Sequence, residues 1–125
     1  MDIDLSGLSA SQQRVVFDLL ILAMYADGPL TSDEDEHLQK LLVAFGYAEN
    51  FDRQREFDAA VTRTRPFLQS IQKAKDQALL LAEAFTSRKQ QKQVYAAVQQ
   101  IMTADKNVSS WESTLLSELG LKFRM

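Results

Sequence analysis

Two segments of the chain carry acidic side chains in the same pattern. In ADGPLTSDE, residues 26–34, and again in ADKNVSSWE, residues 104–112, a glutamate follows an aspartate after seven residues. Carboxylate oxygens are the ligands that Ca²⁺, Mg²⁺ and Mn²⁺ prefer in proteins. If the two segments face each other in the fold, their acids would form one oxygen-rich site for a divalent cation. The candidate metal ligands are Asp27, Glu34, Asp105 and Glu112.

The two glutamates also have a purely structural interpretation. Thr31 with Glu34, and Ser109 with Glu112, match the capping-box pattern, in which paired side chains satisfy the free amides of a helix start. Capping requires no assumption about how distant segments pack. Both interpretations stay open for the glutamates.

The two aspartates are harder to explain as caps. Asp27 and Asp105 each follow the last apolar residue of a predicted helix, where the helix dipole disfavours negative charge. The amides of the next helix, a basic side chain or a cation must compensate this charge. Lys106 is one such basic side chain, and its ammonium group would take the place of a metal ion.

Two familiar metal sites do not fit the acidic segments. An EF-hand loop with Glu34 as its twelfth residue would need oxygen ligands at its first and third positions, and these hold Ala23 and Tyr25. In the second segment the same positions hold Ile101 and Thr103. A di-iron bundle would need two Glu-x-x-His pairs, but only Glu34–His37 is present, because Leu115 stands where the second histidine would be.

Composition narrows the class of protein further. The chain has 125 residues, 46% of them hydrophobic, which suits a single domain over residues 1–125. It has no cysteine and one histidine, so thiolate chemistry is excluded and a hydrolase has little support. The N-terminus lacks the pattern of a secretory signal, and Asp18 interrupts an apolar run that is too short to cross a membrane. We expect a soluble, cytoplasmic protein that is not an enzyme and does not insert into membranes.

Charge is distributed unevenly along the chain. Residues 1–52 carry 2 basic and 10 acidic side chains, a net charge of −8, whereas residues 53–92 carry 9 and 4, a net charge of +5. The basic segment has no glycine-rich phosphate loop and no aromatic nucleic-acid motif, so solvated helix faces explain it better than nucleic-acid binding. Opposite patches of this kind suit protein partners.

The elements that must position the acids are predicted to be helices. Apolar residues recur at helical spacing and no segment alternates in the manner of a strand, so the chain is predicted to be all-α, a compact bundle of about six to seven helices. Ser9–Gln12 and Ser87–Gln90 mark two capped helix starts, and a third helix is expected from about residue 50 to 64. Further expectations are inward-facing Phe51 and Ile71, and helix stops at Gly46 and Gly120.

A shift of 78 residues superimposes the two acidic segments and the helices before them. Ala26, Asp27 and Glu34 then align with Ala104, Asp105 and Glu112, and Met24 aligns with Met102. The following segments, LLVAFGY and LLSELGL, correspond after a deletion of four residues, about one helical turn. The sequence therefore predicts two similar helix–acidic turn–helix units.

These two units, LLILAMYADGPLTSDEDEHLQKLLVAFG and VYAAVQQIMTADKNVSSWESTLLSELGL, resemble the tellurite-resistance TerB-like family, which includes the N-terminal region of a membrane-anchored J-domain co-chaperone. The resemblance covers nearly the whole chain. It implies a compact helical domain that binds a divalent metal through Asp27, Glu34, Asp105 and Glu112 and that serves in stress-response or membrane-associated complexes. Lys106 departs from the family pattern, which has glycine at that position.

Two functional hypotheses follow. The first is a non-enzymatic, metal-responsive adaptor that binds Ca²⁺, Mg²⁺ or Mn²⁺ through the paired acidic turns. The alternative is a metal-independent interaction domain whose acidic and basic faces dock different protein partners.

Overall fold

The computed structural model describes residues 7–25, 32–103 and 109–124. Within these ranges the chain forms six α-helices, one short 3₁₀ helix and no strand, so the predicted all-α bundle is confirmed. The third helix has the predicted bounds. The α-helices are α1 (Ala10–Tyr25), α2 (Ser32–Ala44), α3 (Asn50–Thr64), α4 (Ile71–Ala82), α5 (Arg88–Met102) and α6 (Ser110–Lys122), with the 3₁₀ helix Arg65–Phe67 between α3 and α4.

Helix α1 lies at the centre of the bundle. All nine residues from Val16 to Met24 are buried, and the helix packs against α3, α4, α5 and α6. A helix buried on every side needs apolar residues all round its circumference, which the segment VVFDLLILAM supplies with one exception, Asp18. Helix α1 is therefore a core helix over Val16–Met24, whereas Ala10 and Ser11 at its start are exposed.

The predicted caps at three helix ends are present. In α1 the Gln12 amide donates to the Ser9 hydroxyl at 3.1 Å, and the Ser9 amide donates to the Gln12 side chain at 3.0 Å. Helix α5 starts with the same contact, from the Gln90 amide to the Ser87 hydroxyl. Gly46 terminates α2 from two residues beyond Ala44: its φ of +105° suits glycine, and the Tyr47 N–H donates to the Leu42 carbonyl, which completes a Schellman motif.

Three sequence predictions about the helices are wrong. Phe51 is 71% exposed and Ile71 49% exposed, because each lies near a helix start, at the edge of the bundle where no neighbouring helix covers it. Helix α6 does not stop at Gly120 but continues to Lys122. Gly120 is buried inside α6, and a Cβ at this position would meet the Tyr95 ring of α5 at an ordinary van der Waals distance of 3.6 Å.

In each half of the repeat, two helices joined by an acidic turn make a hairpin; α5 and α6 pack on each other, whereas α2 packs mainly on α5 and α3. Arg88 at the start of α5 donates to the carbonyls of Phe123 and Arg124 after α6, which places the two helices in opposite directions. In the first half, Leu42 near the end of α2 meets Phe17 of α1 around a shared cavity. The start of α2 consequently lies toward the end of α1.

The two hairpins are joined at both ends by contacts between α1 and the second half. At one end, the side-chain amides of Gln12 and Gln90 donate to each other at 3.3 Å. These residues are 78 positions apart, so the repeat extends upstream to both capping boxes. At the other end, the Trp111 indole N–H donates to the Leu22 carbonyl at 3.4 Å. Helices α1 and α5 therefore run in the same direction, side by side.

Candidate functional site

The two glutamates of the repeated motif are both buried. Glu34 is 5% exposed and Glu112 is 6% exposed, each in the third position of its helix. The Ser109–Glu112 capping box is present, with the Glu112 amide on the Ser109 hydroxyl and the Ser109 amide on Glu112 Oε1, both at 3.1 Å. Capping therefore accounts for the position of Oε1 of Glu112, which accepts the Ser109 amide. The second carboxylate oxygen, Oε2, is buried as well.

The residues that flank the two acidic turns lie at one end of the bundle. Because α1 and α5 are parallel, the start of each partner helix, α2 and α6, lies at the end opposite the Gln12–Gln90 pair. Trp111, next to Glu112, contacts the last turn of α1 through Leu22. Burial raises the pKa of Tyr25, and the nearby charge of Asp35 in α2 adds to this effect. Glu34 and Glu112 thus belong to the same end of the fold.

The predicted aspartate ligands, Asp27 and Asp105, lie outside the described residues, as does Thr31 of the first capping box. Within residues 7–25, 32–103 and 109–124, acidic and histidine side chains form no group of three that suits a metal ion. The structure therefore positions two of the four predicted ligands, Glu34 and Glu112.

Leu115, which stands where a di-iron site would need its second histidine, is fully buried in the core, so this position of α6 serves packing.

An ion pair between α1 and α3, which was not predicted from the sequence, lies apart from the two glutamates. Arg63 donates to both carboxylate oxygens of Asp18, from Nε at 3.0 Å and from Nη2 at 2.8 Å. Asp18 is 8% exposed. Burial raises its pKa above the ordinary value, and the hydrogen bonds and charge of Arg63 offset this only in part. The Asp18 hydrogen bond in turn raises the pKa of Arg63, which stays protonated.

Arg63 of this ion pair also lines a small cavity between α1, α2 and α3. The cavity has a volume of about 10 Å³, room for about one water molecule. Phe17, Leu42 and Phe45 supply apolar walls. Arg14 and Glu56 approach within 3.8 Å at its edge. The cavity is too small for an organic substrate.

Several basic side chains of residues 53–92 serve the fold itself. Arg53 donates to the carbonyls of Tyr47 and Ala48 before α3, Arg63 pairs with Asp18, and Arg88 binds the carbonyls that follow α6. Guanidinium groups are well suited to such multiple bonds. The positive charge of this segment is therefore partly structural, in line with the preference for helix faces over nucleic-acid binding.

Comparisons with protein-family models, with curated proteins and with solved structures found no match to this chain. In the described part of the chain, none of the helices has the length and apolar character needed to cross a membrane.

Proposed function

We propose that the protein is a non-enzymatic adaptor that binds a divalent cation, Ca²⁺, Mg²⁺ or Mn²⁺, where its two helical hairpins turn. The observation that carries this proposal is the burial of Glu34 and Glu112 at equivalent positions of the repeat and at the same end of the bundle. Glutamate is among the residues least often buried unless its charge is compensated. A cation between the hairpins would compensate both charges at once.

Helix capping alone does not require this burial. The Ser9–Gln12 box of α1 has the same geometry, yet its hydrogen bonds are exposed and its third residue is a neutral glutamine. A neutral amide is therefore sufficient for a cap in this fold. At the equivalent place in α2 and α6 the chain has a carboxylate instead, and carboxylate oxygens are ligands that a hard divalent cation prefers.

The donor set suits a hard cation. Glu34 and Glu112 would supply carboxylate oxygens from the first turns of α2 and α6, and Asp27 and Asp105 would complete the set. Glu34 and Glu112 alone supply only part of the oxygen ligands of such a site, so Asp27 and Asp105 are needed as well. When bound, the cation would neutralise the acids and hold the starts of α2 and α6 together. A change in cation concentration would then alter the stability of the surface that a protein partner meets.

The role in stress-response complexes is an extension of the proposal that rests on the TerB-like resemblance. The chain has no cysteine and a single histidine, which supports a binding role over catalysis.

A second candidate is a metal-independent interaction domain, and the intact Ser109–Glu112 capping box favours it. In that case Glu34 and Glu112 serve only the helix starts. Charged faces would then dock protein partners, and their association would weaken as salt screens the exposed charges.

Thermal unfolding of glutamine variants separates the two candidates. Glutamine keeps the capping pattern but removes the carboxylate charge, so Glu34→Gln combined with Glu112→Gln tests metal binding with the caps preserved. Glu36→Gln in α2 is the matched control, because Glu36 is exposed and pairs with Lys40 at 3.3 Å. Melting is measured with and without millimolar Ca²⁺, Mg²⁺ and Mn²⁺.

The adaptor proposal predicts that at least one cation raises the melting temperature of the wild type and of Glu36→Gln. A cation at 100 times its Kd stabilises the native state by about 2.7 kcal/mol. The double glutamine variant should show no such rise. If none of the three cations changes the melting temperature of the wild type, metal binding is contradicted and the metal-independent interaction domain is the better explanation.

A further inference from the structure

An open groove lies between the 3₁₀ helix and α4, away from the candidate cation site. Its volume is about 470 Å³. Three apolar and three polar residues line it: Pro66, Phe67, Leu80, Lys73, Asp76 and Gln77. The Leu80 side chain is 60% exposed, so it can also enter a groove on another molecule.

The four groove residues that belong to α4 form one side of that helix, because they recur at a spacing of three or four residues. We call this side the outer face of α4: Lys73, Asp76, Gln77 and Leu80. The inner face is buried through Ala74, Ala78 and Ala82, where α4 packs on α1 and α6. The fold is therefore complete without any contact to the outer face.

Lys73 and Asp76 give the outer face one exposed positive and one exposed negative charge about one helical turn apart. Lys73 Nζ donates to the Gln69 side chain at 3.3 Å. The Gln72 side chain donates to Asp76 at 2.8 Å. Both bonds pair a charged group with a neutral amide, and a bond between two charged groups would be stronger.

This arrangement of charges is complementary to itself. When two identical helices pack antiparallel about a two-fold axis, residues at equal distances on either side of the axis meet. With the axis between Lys73 and Asp76, each lysine faces the aspartate of the second copy. Leu80, four residues after Asp76, then faces Gln69, four residues before Lys73, and reaches the groove beside the 3₁₀ helix.

We propose that the outer face of α4 is a homodimer interface, in which Leu80 of each copy enters the groove of the other and Lys73 pairs with Asp76 across a two-fold axis. The partner that fits this face is a second copy of the chain, since the face supplies both the apolar side chain and the groove, and both charges of each ion pair. A dimer would present two copies of any partner-binding surface together, which raises avidity.

The size of the face indicates a weak dimer. Helix α4 has 12 residues and is therefore about 18 Å long. A stable interface buries about 800 Å² on each partner, more than one face of so short a helix offers. We expect a Kd on the order of 100 μM, which suits an association that responds to local concentration.

Sedimentation equilibrium of the full chain, from about 10 μM to about 1 mM, measures this association. EDTA is present throughout, so the result does not depend on the proposed cation. The average mass should rise with concentration from 14.2 kDa toward twice that value. Leu80→Gln should raise the Kd at least tenfold, because both copies lose a buried leucine. Leu121→Gln is the matched control, since Leu121 is 73% exposed but lies in α6, outside the groove, and its Kd should equal that of the wild type.

Charge exchange tests the two-fold geometry itself. Lys73→Asp makes both charges of the face negative and Asp76→Lys makes both positive, so each variant alone should dimerise at least tenfold more weakly than the wild type. An equimolar mixture of the two should associate, because every charge then meets its opposite. The chain with both substitutions should dimerise like the wild type for the same reason.

A mass of 14.2 kDa at every concentration of the wild type would overturn the proposal. Association that neither Leu80→Gln nor Lys73→Asp weakens would also overturn it, because the contact would then lie elsewhere on the molecule. Circular dichroism should show that each variant keeps the helical content of the wild type, since the substituted side chains are exposed. An acidic residue at position 73, in the first turn of α4, also suits the helix dipole.

Discussion

Replacing Arg63 by methionine should destabilise the protein by leaving the Asp18 carboxylate buried without its partner. Breaking a fully buried pair in this way costs about 3–5 kcal/mol. The Arg63 side chain is 40% exposed, so water partly solvates the site, and we expect a smaller loss of about 2–3 kcal/mol. For a chain of this size that loss lowers the melting temperature by roughly 10 °C.

Urea and thermal unfolding of five chains would test this prediction: wild type, Arg63→Met, Asp18→Leu, the double variant and the control Arg55→Met. Replacing both charges by apolar groups removes the buried ion as well as the pair, so the double variant should lie within about 1 kcal/mol of the wild type. Arg55→Met, an exposed arginine in the same helix, should change the stability by less than about 0.5 kcal/mol. If Arg63→Met is as stable as Arg55→Met, or if the double variant loses the sum of the two single losses in stability, Arg63 does not compensate a buried charge at Asp18.

Three further predictions concern pH, glycine and the contact between hairpins. Because burial raises the pKa of Asp18 in the folded chain, the native state keeps the Asp18 proton to a higher pH than the unfolded chain does. The contribution of Asp18 to the free energy of unfolding should therefore rise as the pH falls from the raised pKa toward 3.8. Urea titrations of Asp18→Asn at several pH values should lack this pH-dependent contribution. Gly46→Ala should lower the free energy of unfolding, measured with urea, by about 1–2 kcal/mol, because Gly46 has a positive φ. Gly120→Ala should leave it unchanged or raise it by up to about 1 kcal/mol, because the residue lies inside α6 and its new Cβ would be 3.6 Å from a carbon of the Tyr95 ring. Trp111→Phe removes the hydrogen bond to the Leu22 carbonyl and should cost about 1 kcal/mol in the same assay; no loss would show that this contact does not stabilise the join between the hairpins.

Helical periodicity and capping patterns were sufficient to predict the architecture. The Ser9–Gln12 and Ser87–Gln90 boxes specify where α1 and α5 begin, because each pairs a hydroxyl with an amide at a fixed local spacing. Local sequence patterns cannot show which face of a helix is covered by a neighbouring helix in the folded protein. Phe51 was therefore predicted to face inward although it lies at the exposed start of α3.

The charged contacts were harder to predict than the helices. Asp18 and Arg63 are 45 residues apart, and no fixed spacing connects side chains on different helices. A signal was nevertheless present, since a lone acid inside the apolar run of α1 requires a cation from elsewhere. The Gln12–Gln90 pair also had a signal, because both residues obey the same shift of 78 residues as the acidic turns.

The glutamates of the candidate site were found from the sequence because the repeat singles them out. Their burial was not predicted, since a capping glutamate is usually placed at a solvent-exposed helix start. Asp27 and Asp105 stay predictions, as they lie outside the described residues.

Anomalous X-ray scattering from crystals grown with manganese is the most direct test of the proposed cation site. We predict an anomalous peak in contact with carboxylate oxygens of both Glu34 and Glu112, at the end of the bundle where the hairpins turn. A map with well-defined Glu34 and Glu112 side chains, bonded only to helix amides and with no peak beside them, would contradict metal binding at this site.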